Sequence, residues 1–402
     1  MRLAVIGGGI AGLAAAWEAR AGAEVTVFEP GTLGGKIRTT IFDGQPVDEG
    51  PDAFLTRVPD AVDLCAELGL SDELVAPTAG RTLLWAGRKP RQLPDGLILG
   101  VPRRLIPIAT SGLLSPLGLL RAAGDLVLPA TPPTDDVSVE ELIRRRFGPQ
   151  VAQRLVEPLV GGIHAARIAE LSAESTVPQL LAAARRHRSL LRAMRAQPVP
   201  DARTPTFLTP REGVGRLVER LAAELDAAGV KVRPVAARSV TGKGTTVDVD
   251  GEAFDAAVIA TAAADAARLL GDAAPRGLRE IATTSVTLVT MSFAAAELPV
   301  PAGINGILVP PGDGRLMTAL SFGSNKWPHW TSPGRVVVRV SSGRHGDERA
   351  DGLADEDLVG ALSGELSSAL GIPPAAPGAW RVSRWPDSFP IYRVGHARLV
   401  AG

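Results

Sequence analysis

An unbroken apolar run, Leu3-Ala4-Val5-Ile6, follows Arg2 and predicts a short strand buried on both faces. Ala- and Leu-rich residues over 13–21 keep helical spacing, Gly22 ends that helix, and Ala23-Glu24-Val25-Thr26-Val27-Phe28 reads as a second strand. An amphipathic helix is expected over 60–70, and a hairpin over 81–94 with its turn at Gly87. Residues 96–130 are unusually apolar yet broken by prolines, which predicts short helices with bent connections, interrupted by Arg103-Arg104. Further helices are expected over 138–147, where Ser138 and Glu141 spell a capping box, over 149–160, and from Leu171-Ser172 to 195. A Pro-rich connector covers 198–210 and a helix 214–228. Strands then alternate at 230–232 and 245–249 around a turn at 242–244, and a buried strand runs over 254–260 to Thr261. The region 284–342 is strand-rich, 355–370 is helical, and no internal repeat is visible.

Between the first strand and its helix stands Gly7-Gly8-Gly9-Ile10-Ala11-Gly12, a G-x-G-x-x-G. Gly7 permits a tight turn, Gly9 lets backbone approach a pyrophosphate, and Gly12 lets helix and strand pack closely. The helix N-terminus offers free N–H groups to the phosphates. Glu29 closes the second strand, an acceptor for ribose hydroxyls whose charge disfavours a 2′-phosphate. The six-residue motif alone is weak evidence; strand, glycines, helix, strand and acid in this order make a dinucleotide site.

Glu29 runs directly into Pro30-Gly31-Thr32-Leu33-Gly34-Gly35-Lys36-Ile37-Arg38. Gly34 and Gly35 can expose backbone N–H, and Lys36 or Arg38 can neutralise a phosphate. This segment resembles the second fingerprint of the flavin-dependent amine oxidase, carotenoid desaturase and protoporphyrinogen oxidase superfamily. The resemblance implies FAD as the cofactor. It also implies that Asp48-Glu49-Gly50-Pro51-Asp52-Ala53-Phe54 lies against the flavin, so that Gly50, Pro51, Asp52 and Ala53 join the FAD shell. Phe207 to Leu217 is similar to the turn that re-enters the FAD domain, and Ala257-Val258-Ile259-Ala260-Thr261 to the strand under the flavin. The resemblance also implies that the 232–240 segment lies where a backbone amide reads adenine, a role that falls to Ala237.

Three segments resemble the porphyrinogen oxidases in particular. Arg81 before Leu84-Trp85 matches the family's arginine for a substrate carboxylate. Gly161-Gly162-Ile163-His164-Ala165-Ala166 with Leu171-Ser172 is similar to the segment in which Gly162 lines the tetrapyrrole cavity, although Ala166 stands where glycine is usual. Arg384-Trp385 and Pro390-Ile391-Tyr392-Arg393-Val394-Gly395-His396 complete the likeness. The activity implied is oxidation of coproporphyrinogen III, or protoporphyrinogen IX, by hydride transfer to flavin with oxygen as final acceptor, in heme biosynthesis. No side-chain acid or base is required on this reading. Arg88, Lys89 and Arg91 could serve further propionates, and a ferrochelatase is a possible recipient of product. In the family a Gly-rich flavin-covering motif would follow Leu399-Val400-Ala401-Gly402, so cofactor retention without it is in question.

The 43 basic and 43 acidic residues balance, which argues against a nucleic-acid surface. One cysteine, Cys65, allows no internal disulfide and fits a reducing compartment. The five histidines show no metal-ligand spacing, and no G-x-S-x-G occurs. No signal peptide or membrane span is expected, which places the protein in the cytoplasm; contact of the 96–130 stretch with a membrane surface stays open beside half-buried packing. The fold expected is α/β, α+β overall. A Rossmann-like FAD-binding domain (1–75, 208–283, 384–402) is interleaved with a mixed-sheet substrate-binding domain (76–95, 196–207, 284–383) and a helical, membrane-like domain (96–195). The rivals are a flavin amine oxidase, for which a single tyrosine in the chain offers little aromatic cage, a carotenoid desaturase, and a non-catalytic FAD- or porphyrin-binding protein.

Overall fold

In the computed structural model, which describes residues 1–129, 131–198 and 204–401, the opening run forms the strand Arg2–Ile6 at the heart of a parallel sheet. Its neighbours are Glu24–Phe28 on one side and Ala256–Ile259 on the other, and Lys231–Arg233 completes the edge. Leu3, Val5, Val25 and Val27 pack on Leu13, Trp17 and Leu221. Ala4, Ile6 and Phe28 point the other way, onto Val249, Phe254 and Leu269. Both faces are covered, so both parities of the strand must be apolar. Cys65 sits in the first of these cores, where burial pushes its thiol up to about 11 and leaves it inert.

The helix after the first strand runs Ile10–Ala19 and so begins inside the glycine motif, earlier than its apolar spacing predicts. The single strand expected over 254–260 is two. Glu252–Phe254 belongs to an antiparallel hairpin sheet, and Ala256–Ile259 to the parallel one, with the Asp255 N–H donated to the Arg2 carbonyl between them.

A second, seven-stranded sheet runs in the order Ala379–Pro390, Thr283–Ala294, Arg335–Ser342, Met317–Ser321, Ile304–Leu308, Arg81–Ala86, Lys89–Gln92. Val289, Met291, Phe293, Val338 and Val340 bury one face against Leu358, Leu362 and Leu366 of the helix Asp355–Leu370. The long strands Thr283–Ala294 and Ala379–Pro390 pair antiparallel along most of their length. The domain boundary expected at 384 therefore falls inside a strand, because ladder hydrogen bonds carry the sheet on to Pro390.

The third body is helical. Ile108, Leu113, Ile143, Phe147 and Leu155 form its core, which Leu84 and Ile391 join from outside. The hairpin Leu97–Ile98/Val101–Pro102 was not foreseen in the 96–130 stretch. Ser138 caps Val139–Phe147 by accepting the Glu141 N–H at 3.1 Å, but the box is only half made, since the Glu141 carboxylate pairs with Arg145 instead. The helix expected over 149–160 is π-wound from Ala152 to Gly161 with Pro158 inside it. Such winding is rare and concentrates at functional sites. Of the connector expected over 198–210, residues 199–203 lie outside the described residues, as do residues 130 and 402.

Candidate active site

A cleft of about 500 Å³ opens where the glycine motif meets the parallel sheet. Gly7 (φ +106°) makes the turn in a conformation that costs glycine least. A Cβ on Gly12 would stand 1.9 Å from the Gly7 oxygen, so the helix lies directly on the turn. Gly9 is different: a Cβ there would meet nothing within 4 Å, and the residue borders the cleft. Gly9, Ile10 and Ala11 thus present the helix N-terminus to open space, with the first N–H groups lacking intrahelical partners.

Glu29 lines the opposite wall. Its carboxylate accepts the Gly8 N–H at 2.7 Å and the Gly31 N–H at 2.8 Å. A carboxylate accepts at about four sites, which leaves capacity for ribose hydroxyls. Gly34, Gly35, Lys36, Ala237 and Thr261 also line the cleft, together with Asp265 and Arg268, which no motif marked. The Gly34 N–H is not free as the sequence implied: it is donated to the Gly8 carbonyl at 2.8 Å, which straps the two glycine segments together. Lys36 reaches past the cleft to the Ser388 carbonyl, at 2.8 Å. These residues fit a dinucleotide: an open-faced Gly9, a bare helix N-terminus, a cation and an acidic acceptor surround one hollow.

The remaining expected shell residues do not line this cleft. Arg38 pairs with Glu49 at 3.2 Å and does not line the cleft. Nor does the loop Gly50-Pro51-Asp52-Ala53. The Gly50 carbonyl accepts from Arg339 at 2.9 Å, and Ala53 packs by Phe42, Val47 and Trp327. Asp52 accepts from Lys326 and from the Trp327 indole, both at 2.9 Å. Burial alone would raise its carboxyl, but Lys326 and Arg339 outweigh burial and hold it below the usual carboxylate range. This loop is bolted to the large sheet by ion pairs and backbone bonds.

A second hollow, of about 380 Å³, lies between the large sheet and the π-wound helix. Val286, Leu288, Leu308, Val309 and Phe389 make it apolar, and Gly162 borders it with open space where a Cβ would stand. The left-handed backbone of the 161–166 turn falls on Ala165 (φ +47°), so Ala166 is not the position that needs glycine. Phe389 and the Ser388 carbonyl that holds Lys36 are adjacent, so one strand borders the cavity and ties to the cleft.

Two charged residues face this apolar space that the motifs did not reveal: Glu157 and Arg344. Arg81, the expected carboxylate anchor, is not among the lining residues. It is exposed and donates to Gln92 at 3.1 Å, while Thr82, the next residue on the alternating strand, lines the cavity. Arg88, Lys89 and Arg91 do not border it either. The signal for Glu157 was present as one carboxylate inside the apolar stretch Leu155-Val156-Glu157-Pro158-Leu159-Val160. Arg344 had no such local mark.

The sequence pattern of the family "Flavin containing amine oxidoreductase" matches residues 10–400. The chain is 33% identical to the coproporphyrinogen III oxidase of Bacillus subtilis (strain 168), over 98% of this chain and 88% of that one. It is 33% identical to the protein of that name from Propionibacterium freudenreichii, over 99% and 83%. Identity to Arabidopsis thaliana protoporphyrinogen oxidase 1, chloroplastic, is 26% over 98% and 79%. A crystal structure from Exiguobacterium sp. 255-15, provisionally named a protoporphyrinogen oxidase, superposes with a TM-score of 0.89 at 29% identity, covering 100% of this chain and 89% of that one. Reduced UDP-galactopyranose mutase shares the fold, with a TM-score of 0.71 at 15% identity, over 100% and 85%.

Proposed function

The chain belongs to the flavin-containing amine oxidoreductase family, and from that premise we propose that it oxidises a porphyrinogen, coproporphyrinogen III before protoporphyrinogen IX, to the porphyrin in heme biosynthesis. Its cofactor is FAD, and oxygen is the final acceptor. The observation that carries this reading is 33% identity, over 98–99% of this chain and 83–88% of theirs, with relatives named coproporphyrinogen III oxidase. The apolar cavity linked by one strand to the dinucleotide cleft is consistent with it.

In this reading Gly7, Gly9, Ile10 and Ala11 offer backbone to the pyrophosphate, Lys36 offset its charge, Glu29 takes ribose hydroxyls, and Ala237 and Thr261 bound the cleft. Bound FAD supplies a two-electron acceptor for hydride. The chain's own part is to hold the macrocycle: aliphatic walls exclude water, and Gly162 leaves room at the wall. Arg344 is the guanidinium placed to meet a propionate there.

Anaerobic mixing tests the function. Coproporphyrinogen III should bleach the bound flavin, and bleaching by amines alone would overturn the reading. Arg344→Ala should raise KM about tenfold or more, the worth of a charge-assisted hydrogen bond, while Arg81→Ala leaves it within about twofold of wild type, as expected of an exposed surface residue.

Among the described residues no helix is long and apolar enough to cross a membrane. The helices Ile106–Ser111 and Pro116–Ala123 nevertheless expose Ile106, Leu117 and Leu120 by more than two thirds. Arg103, Arg104, Arg192 and Arg195 rim a hollow beside Ile106. This face supports docking on an anionic lipid surface, with the charges at headgroup level.

A further inference from the structure

Glu157 sits where its chemistry is unused by the reading above. It projects from the π-wound helix Ala152–Gly161 into the apolar cavity, beside Gly161 and Gly162. One of its oxygens lies 3.4 Å from the Ile168 N–H, long for a hydrogen bond, and no other hydrogen bond to it is made among the described residues. No cation comes within ion-pair distance of it among those residues, although Arg344 borders the same hollow. Glu157 is half-buried, and its second oxygen faces the open space of the hollow with no protein partner among the described residues, free to accept from whatever enters. The guest of the proposed function brings what a carboxylate accepts: a ring of pyrrole N–H donors.

We propose that Glu157 is a catalytic residue, the acceptor of the pyrrole N–H proton released as the macrocycle is oxidised; this rests on the porphyrinogen oxidase reading. The balance is simple. A meso C–H bond breaks and its electron pair leaves with the hydrogen to FAD. The macrocycle is left a cation delocalised onto nitrogen. An N–H bond then breaks, its electrons stay as the new C=N bond, and the proton forms an O–H on Glu157. Ionisation of that acid to water restores the carboxylate for the next oxidation.

The surroundings poise the group for this work. Burial pushes the Glu157 carboxyl up to about 7; Glu140 on the neighbouring helix adds to the rise, and the Ile168 N–H, Arg167 and Arg344 oppose it. An acceptor whose affinity for protons matches the working pH is the most effective kind.

The test uses the flavin-loaded full chain. Anaerobic flavin reduction by coproporphyrinogen III should rise with pH across a limb near neutrality and level off above it. Glu157→Gln should keep flavin and fold, slow reduction about 100-fold, and flatten that limb. Glu157→Asp should slow reduction less and keep the limb, an effect that loss of packing would not produce. Independently of turnover, an infrared carboxyl band should titrate near neutrality in wild type and be missing from Glu157→Gln. A wild-type rate independent of pH, or a Gln variant as fast as wild type with the same profile, would overturn the assignment of Glu157. Wild-type flavin left oxidised by porphyrinogen at every pH would instead overturn the functional reading beneath it.

Discussion

Within one six-residue motif the glycines do different jobs, and single methyl groups separate them. Gly12→Ala forces a Cβ onto the Gly7 oxygen, at 1.9 Å, and should destabilise the protein by on the order of 3 kcal/mol, read as a lowered Tm with or without FAD. Gly9→Ala meets no protein atom. Its Tm without cofactor should match wild type, and FAD affinity should fall at least about tenfold, or 1.4 kcal/mol, in a flavin titration. Glu157 adds a pH signature. Its folded carboxyl titrates near 7 against an ordinary value of 4.5. The folded state therefore holds its proton more tightly, and stability is full below about pH 4 and lost as pH climbs toward 7. Glu157→Gln should gain on the order of 1–3 kcal/mol over wild type at pH 8 and nothing at pH 4, measured by denaturant unfolding. Glycine roles were legible in the sequence because each is settled by its own turn. The cavity position of Arg344 was not, because Leu308, Phe389 and Gly162 border the same hollow only once the chain has folded.

At the scale of elements, alternation and period carried the strands and helices but not their winding or partners. The hairpin Arg81–Ala86/Lys89–Gln92 forms as its pattern predicts. What the pattern cannot state is which face meets the cavity; Ile304–Leu308 and the helical body decide that, and they turn Thr82 toward the cavity. The π winding of Ala152–Gly161 was equally hidden, since its spacing passes for an ordinary helix. The short helices at Ile106–Ser111 and Pro116–Ala123 expose aliphatic side chains that no neighbour covers. Leu117→Glu with Leu120→Glu should abolish co-sedimentation with anionic vesicles while leaving flavin reduction by soluble substrate within about twofold, since exposed positions like these contribute little to the fold.

Across the whole molecule, the interleaving was visible in the order of motifs, and its joints were not. Lys36 holds the Ser388 carbonyl, Trp385 donates to the Glu49 carbonyl at 2.9 Å, and Arg381 to the Val47 carbonyl at 3.0 Å. These bonds link segments more than 300 residues apart and tie Lys36 and the 47–49 segment to the last strand of the large sheet. The parallel sheet has a consequence in time as well. Its inner strands are made of residues 2–28, yet its outer ones come from 231–233 and 256–259. A ribosome that has released the glycine turn has released only half of a nucleotide pocket. Cofactor capture must wait until the strand Ala256–Ile259 has also been synthesised, and until then the apolar first strand lacks one of its two neighbours.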